Sequence, residues 1–267
     1  MTASPTRPLA LVTGASSGIG LELARQFGQN GFDLVIAADD AAELAGAAQD
    51  LRSTGATVEE VAVDLASADG VEELHRRATA GGRSVAALAL NAGIGSGGPF
   101  HETSLEHELK LVDLNVRGVV HLAKLVLPEM VARREGRVLV TSSIASTQPG
   151  TFNAVYNASK SFDQSFALAL RSELKGLGVT VTSLMPGPTD TEFFARGNLT
   201  DTRLGATNMK DDPADVARQG FEALMAGRER VVAASLMTKL QGYSGRFLPD
   251  SAKALMHKVL ARPGSAN

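Results

Sequence analysis

The chain has 267 residues, 44% of them hydrophobic, enough for a substantial core and too many for a disordered segment. Its formal net charge of -3 gives no global field to recruit nucleic acid, and the absence of cysteine excludes disulfides, thiol catalysis and Cys-ligated metal. The opening "MTASPTRPLALVTG" holds one four-residue apolar run, Leu9 to Val12, too short for a signal-peptide core or a membrane span, so a cytoplasmic protein without stable membrane insertion is expected.

Strand-like apolar runs alternate with helical patterns. "LALV" (9–12) precedes an expected helix near 19–30, "LVIAA" (34–38) an alanine-rich one near 41–54, and "VEEVAV" (58–63) one near 68–80. "VAALAL" (85–90) leads to a longer helix near 105–131, "RVLVTS" (137–142) to one near 153–176, and "VTVTSLM" (179–185) follows. Continuous apolar strands separated by helices imply a mostly parallel sheet with helices on both faces, and right-handed crossovers make it a doubly wound Rossmann-type α/β fold. The pattern loosens after Pro186: residues 188–211 are polar and irregular, too long for an ordinary connector, and read as a lid or a surface excursion. A helix near 213–226 and a short strand "RVVAA" (230–234) come next, and the tail from Ser235 reads as helical with interruptions at Gly242, Gly245 and Pro249. No repeat or linker marks a second domain, so residues 1–267 are expected to form one.

"TGASSGIG" (13–20) falls where the first strand ends and the first helix begins. Glycines there let the backbone turn sharply and approach a ligand, while a helix N-terminus offers unpaired N–H groups to a pyrophosphate; tight packing of helix on sheet would also want glycine. The spacing is neither GxGxxG nor a Gly-Lys-Ser/Thr loop. In "NAVYNASK" (153–160), Tyr156 and Lys160 lie one helical turn apart and project from the same face. That spacing fits a lysine snorkelling beside a packed ring and equally an acid–base device, and the pair alone does not decide.

"TGASSGIG" (13–20), "NAG" (91–93), "NVRG" (115–118), "TSS" (141–143), "YNASK" (156–160) and "PGPTDT" (186–191), in this order, resemble the short-chain dehydrogenase/reductase (SDR) family over about residues 8–193. The tail after about residue 195 lacks the glycine-rich ending common in that family. The resemblance implies an oxidoreductase transferring hydride between a nicotinamide cofactor and an alcohol or carbonyl substrate. It matches Tyr156 to the catalytic tyrosine, Lys160 to its partner, Ser143 rather than Ser142 to the serine, and Asn115 to an asparagine that places a water in the proton relay. An adjacent ammonium is expected to lower the tyrosine pKa from its ordinary value of about 10. The implied cofactor contacts are Gly14, Ser16, Ser17, Gly18, Ile19 and Gly20 in the first loop, Asp64 and Leu65 after the third strand, and Asn91, Ala92 and Gly93. Tyr156, Lys160, Pro186, Gly187, Thr189 and Thr191 complete them. Bland readings stand beside several: Asp64 as a helix cap, Asn91 as a loop brace, Pro-Gly as a turn.

The second strand ends "LVIAADD", with Asp39 nineteen residues after Gly20. A carboxylate there accepts hydrogen bonds from a ribose and repels a 2′-phosphate. This predicts NAD(H), with NADP(H) as the alternative, Asp39 as determinant and Asp40 either its substitute or a helix cap.

The five histidines show no ligand spacing, no metal is expected, and His101 and His107 read as exposed. Met209, Met225 and Met237 read as packing residues. Residues 144–155 and 188–211 are expected to choose the substrate; Ile144, Phe152, Phe193, Phe194, Leu199 and Leu204 suggest a partly apolar pocket, while Arg196, Arg203 and Lys210 keep a charged substrate open. A homodimer or homotetramer is expected through the helices near 105–131 and 153–176, whose apolar content, including Leu111, Leu114, Phe162, Phe166 and Leu170, fits a subunit contact and equally an internal core. In the tail, Lys239, Arg246, Lys253, Lys258 and Arg262 accompany apolar residues; packing on the chain or a neighbour is favoured over a membrane surface, because glycines and a proline break the stripe. The alternative to an enzyme is a dinucleotide-sensing or partner-binding protein on the same fold.

Overall fold

Seven parallel strands lie in the order β3-β2-β1-β4-β5-β6-β7: β1 Leu9–Thr13, β2 Asp33–Ala38, β3 Val58–Ala62, β4 Val85–Leu90, β5 Gly136–Thr141, β6 Val179–Pro186 and β7 Arg230–Ala233. The computed structural model describes residues 7–197, 199–207, 210–233 and 249–266. The order reverses between β1 and β4, the switch point where an open parallel sheet leaves a crevice beyond its strand ends. Every residue of β1 is buried, which explains why that strand reads as a continuous apolar run rather than an alternating one.

The two faces have separate cores. On one, α1 (Gly18–Gln29) packs with α9 (Pro213–Met225), and Phe27 meets Phe32 and Phe221 edge to face at 5.1 and 5.2 Å. On the other, α3 (Ala68–Ala78), α5 (Val119–Arg133) and α6 (Ala154–Glu173) cover Leu88, Val138 and Val181. Helix starts follow the local sequence. Asp40 caps α2 (Ala41–Arg52) through the amides of Ala42 and Glu43, both at 2.9 Å, Ser67 caps α3, and Asp212 with Pro213 opens α9. Asp40 therefore takes the capping role that the sequence left open for it.

The helix expected near 105–131 is interrupted. α4 (Leu105–Val112) runs into a π-helical turn, Asp113–Gly118, before α5 begins. Such turns shift the side-chain register, and this one carries Asn115 into the interior, fully buried. The apolar content expected for a subunit contact is redistributed. Leu111 is fully buried in this chain, and Leu114, Phe166 and Leu170 pack partly buried against its core. Instead Leu105, Leu109, Val112 and Val120 are exposed along the outer face of α4 and α5, with Phe162 at the surface of α6.

Residues 188–211 form a loop closed at its neck. Thr189 bridges Asp211, Asp190 N–H donates to the Asp211 carbonyl at 2.9 Å, and Asp211 N–H donates to the Pro188 carbonyl at 2.8 Å. Two short helices lie inside it, α7 (Phe193–Arg196) and α8 (Arg203–Ala206). A final helix, α10 (Asp250–Ala261), packs on its own chain: Thr151 Oγ1 donates to the Ala254 carbonyl, and His257 Nδ1 meets the Thr151 carbonyl, each at 2.9 Å. Met209, Met237 and the tail residues Lys239 and Arg246 lie outside the described residues. Among the described residues no helix is long and apolar enough to cross a membrane.

Candidate active site

The ends of β1, β4 and β5 are tied together by one asparagine. Asn91 Nδ2 donates to the carbonyls of Thr13 and Gly14 at 3.2 and 3.4 Å, and Asn91 Oδ1 accepts from Thr141 Oγ1 at 3.1 Å. The side chain is thus spent as a brace between strand ends. Thr13 reciprocates, its Oγ1 accepting from the amides of Asn91 and Ala92 at 2.9 and 3.1 Å. Two glycines make this closeness possible. Gly14 adopts φ 65°, and a Cβ there would stand 2.8 Å from the Ala92 Cα; a Cβ on Gly20 would collide with the Gly14 carbonyl oxygen.

The start of α1 fits a dinucleotide. Ser17 occupies its N-cap position but makes no side-chain capping bond, so the first-turn amides of Gly18, Ile19 and Gly20 lack the partner that a capping side chain would give them. Asp39, exposed at the end of β2, makes no side-chain hydrogen bond or ion pair among the described residues, whereas Asp40 is committed to α2. Asp64 sits in the loop after β3, its Oδ1 accepting from the Ala66 amide at 2.9 Å; Ser67, not Asp64, caps α3. Leu65, Ala92, Gly93, Pro186 and Gly187 lie along the same strand-end edge, and Thr191 rests against Gly18. The amides and carboxylate at this edge are the donor and acceptor set a dinucleotide requires.

α6 carries the reactive face. Tyr156, Lys160 and Asp163 follow one another at helical spacing along the side turned to the sheet. Lys160 is buried, and its Nζ donates to the Thr141 carbonyl at 2.9 Å and to Asp163 Oδ2 at 3.0 Å. Burial pulls the Lys160 ammonium down, but the charge of Asp163, then Tyr156, then the Asp163 hydrogen bond outweigh it and leave the pKa above its ordinary value. Ser142 Oγ donates to the Lys160 carbonyl at 2.8 Å, a brace on α6 and not part of the reacting group. Ser143 Oγ accepts from the Ala145 amide at 3.1 Å and donates to the Pro186 carbonyl at 3.4 Å, and it lies close enough to the Tyr156 hydroxyl to pull its pKa down.

The Tyr156 pKa is shifted opposite to the sequence expectation. Burial, the largest cause, pushes the phenol up; Lys160 and Ser143 pull it down without overcoming that, and Asp163 adds a smaller upward push. The sequence pattern displays the cation four residues away; it does not display the burial or the counter-charge.

Asn115 Oδ1 accepts from the Ile94 amide, and its Nδ2 donates to the Ile94 carbonyl, both at 3.0 Å, and to Ser159 Oγ at 3.1 Å. The amide joins the π-helical turn to the 94 loop and to α6, with both Nδ2 hydrogens used. Sequence reasoning missed several neighbours. Asp163 is one. The loop 94–104 is another: Asn153 Nδ2 donates to the Ser96 carbonyl at 2.7 Å, and His107, only partly exposed, meets the Gly95 carbonyl at 2.9 Å. The signal for Asp163 was available, as an acid on the inward face of a helix one turn beyond the lysine.

Phe193 covers the site from α7, its ring centroid 5.1 Å from that of Tyr156. Phe194 and Leu199 are buried. The cations of this loop have local partners. Arg196 pairs with Glu43 at 2.9 Å and with Glu192 at 2.6 Å, Arg203 Nε donates to the Ser265 carbonyl at 3.3 Å, and Lys210 lies 3.9 Å from Asp190. Beside this lies a cleft of about 450 Å³ between the 96–107 segment and the 196–201 segment. Before α6, Phe152 takes φ 68°, a strained backbone for an aromatic residue, and its carbonyl accepts from the Gly98 amide at 2.8 Å.

A parallel sheet with a dinucleotide-type helix start and a tyrosine–lysine–serine group at its carboxyl edge defines an α/β oxidoreductase. A family model for short chain dehydrogenases matches residues 8–201, and the chain belongs to that family. It is an NAD(P)-dependent oxidoreductase that transfers hydride between the nicotinamide and an alcohol or carbonyl carbon. The NADP-dependent 3-hydroxy acid dehydrogenase YdfG of Salmonella typhimurium is 35% identical over 180 residues, 67% of this chain and 71% of that protein. The short-chain dehydrogenase of Sphingobium yanoikuyae in complex with NADPH superposes with a TM-score of 0.78 at 27% identity, covering 84% of this chain and 87% of that one. The short chain dehydrogenase/reductase of Burkholderia phymatum in complex with NAD gives 0.75 at 26% identity, covering 85% and 88%.

The two adjacent serines separate under substitution. Ser142→Ala is expected to lower stability by about 1 kcal/mol, the usual worth of one hydrogen bond, with kcat close to that of the parent. Ser143→Ala is expected to lower kcat at least about tenfold while changing stability less. Chemical denaturation and steady-state rates on both variants check this, and the reverse pattern would exchange the two assignments.

Proposed function

We propose that Tyr156 is the acid–base group for the substrate oxygen, with Ser143 aligning that oxygen and Lys160 holding the site's charge. The observation carrying this is the convergence of all three at the carboxyl edge of β5, with Ser143 and Lys160 both close enough to Tyr156 to pull its pKa down and Lys160 anchored on Thr141. When bound, a nicotinamide dinucleotide supplies or accepts the hydride. In reduction Tyr156 gives its proton to the developing alkoxide; in oxidation it receives the alcohol proton. Asn115 acts through position, holding Ile94 and Ser159 beside the reacting group. The N-terminal amides of α1 would receive the pyrophosphate, and Asp39, Asp64 and the Asn91–Gly93 backbone the adenosine side. Pro186, Gly187, Thr189 and Thr191 would line the nicotinamide side.

The substrate we infer is a small neutral or partly apolar carbonyl compound or its alcohol, since Phe193 lies over Tyr156 and the nearby cations are paired. Tyr156→Phe removes the transferable proton, and it is expected to lower kcat about 10²–10⁴-fold with little change in dinucleotide affinity. A panel of alcohols and ketones followed by nicotinamide absorbance measures this; near-parent turnover would refute the role, and a parent inactive with every substrate and cofactor would favour the dinucleotide-sensing alternative.

NAD(H) is the preferred dinucleotide in this reading. Asp39 is free to accept from a ribose hydroxyl and would repel a 2′-phosphate, and the 13–20 loop offers no cation in compensation. Asp39→Arg is expected to move the ratio of kcat/KM values toward NADPH by at least about tenfold, or about 1.4 kcal/mol. Parent enzyme already faster and tighter with NADPH would contradict the assignment.

The exposed stripe Leu105, Leu109, Val112 and Val120, with Phe162 nearby, supports a homo-oligomer through α4, α5 and α6. Light scattering at micromolar concentration should give at least twice the chain mass, and Leu109→Glu should lower it; a monomeric parent would sink the idea.

A further inference from the structure

Asp163 is fully buried and accepts from the Nζ of the buried Lys160 at 3.0 Å. Its other oxygen, Oδ1, is buried without a hydrogen-bond partner among the described residues. A carboxylate in that state is a cost to the fold, because desolvation is only partly offset by one ion pair. An apolar residue at this helical position would pack without that cost. The carboxylate therefore calls for a reason in the chemistry it touches.

Its neighbours define what it does. On the inward face of α6 the charged and titratable groups are Tyr156, Lys160 and Asp163; Arg171 and Glu173 lie about two to three turns further along the helix. The groups that touch this face are neutral: the Thr141 carbonyl and the Ser142 and Ser143 hydroxyls after β5, the Asn115 amide from the π-helical turn, and the Phe193 ring from α7; α4, which also packs on α6, holds its buried acid Glu108 on the Ser96 hydroxyl at 2.7 Å. A lone buried ammonium beside Tyr156 would favour the phenolate strongly. With Asp163 ionised the lysine and its acid sum to zero charge, and ionising Tyr156 would leave the buried group with a net negative charge. Burial pushes the Asp163 carboxyl above its ordinary value and Lys160 pulls it back only in part, so the 3.0 Å pairing is what favours the two charges together.

We propose that Asp163 is a positioning residue that cancels the charge of Lys160, so that Tyr156 keeps its proton to high pH and the site works as a proton donor for carbonyl reduction. The proposal rests on Tyr156 and Lys160 being the acid–base pair. In the balanced step, the carbonyl carbon receives hydride from the reduced nicotinamide, its oxygen receives the Tyr156 proton, and Tyr156 is reprotonated from solvent. Oxidation needs the phenolate, which Asp163 makes scarce near neutrality.

The chain suits a direct test because it has no tryptophan and two tyrosines, so Tyr243→Phe leaves Tyr156 as its one phenol. In that background the near-ultraviolet phenolate band should titrate above the ordinary phenol value of about 10, with far-ultraviolet dichroism confirming that the fold persists. Asp163→Asn keeps an acceptor oxygen for Nζ and removes the charge. It should lower the phenolate midpoint by about one unit or more, and Asp163→Glu should restore it. The alkaline fall in kcat/KM for carbonyl reduction should move the same way. An Asn variant whose midpoint coincides with or exceeds that of its parent overturns the proposal. Should that variant not fold, a parent midpoint at or below the ordinary phenol value overturns it instead. The titration is read without cofactor or substrate, so it judges Asp163 separately from the catalytic roles, which Tyr156→Phe kinetics decide.

Discussion

A buried ammonium must be paired, and the pairing of Lys160 organises the whole edge of this sheet. Its Nζ ties α6 to the last residue of β5 through the Thr141 carbonyl and to its own helix through Asp163. Those bonds set the rotation of α6, which in turn faces Tyr156 toward Ser143. Losing either acceptor would leave a charge in low dielectric, so the geometry is held by the high cost of the alternatives rather than by the strength of any one contact.

The sheet delivers the partners. Parallel strands end together, and the reversal between β1 and β4 opens a crevice at those ends. Asn91 then closes β1, β4 and β5 into a fixed edge, and Asn115 fastens the next loop to α6. Both side chains spend their two N–H groups within the protein and so fix the distances between these segments. The loop 188–211 brings Phe193 over the tyrosine and is held to α2 by Arg196 and Glu43.

Much of this was legible from the sequence, for definite reasons. Continuous apolar runs separated by amphipathic stretches allow few architectures, and strand boundaries followed within about two residues, the usual uncertainty of such boundaries. Four of the six family motifs gather at one edge because each sits at a strand end, and "NVRG" and "YNASK" join them from the π-helical turn and α6. What escaped depends on contacts between distant segments or on small shifts of register. The π-helical turn leaves the apolar pattern of 105–131 almost unchanged, so one long helix was expected. Leu111 and Leu109 look alike in sequence and differ wholly in burial. The upward shift of Tyr156 comes chiefly from burial, with a smaller push from Asp163, while the sequence displays chiefly Lys160. Arg196 read as a free cation because Glu43 is 153 positions away.

The most direct test of the central claim is a crystal structure with a nicotinamide dinucleotide and an unreactive carbonyl analogue. The pyrophosphate should lie on the amides that open α1, and the analogue's oxygen should be within hydrogen-bonding distance of both the Tyr156 hydroxyl and Ser143 Oγ, with Lys160 still on Thr141. A dinucleotide bound away from α1, or an analogue whose oxygen meets neither hydroxyl, would contradict the account.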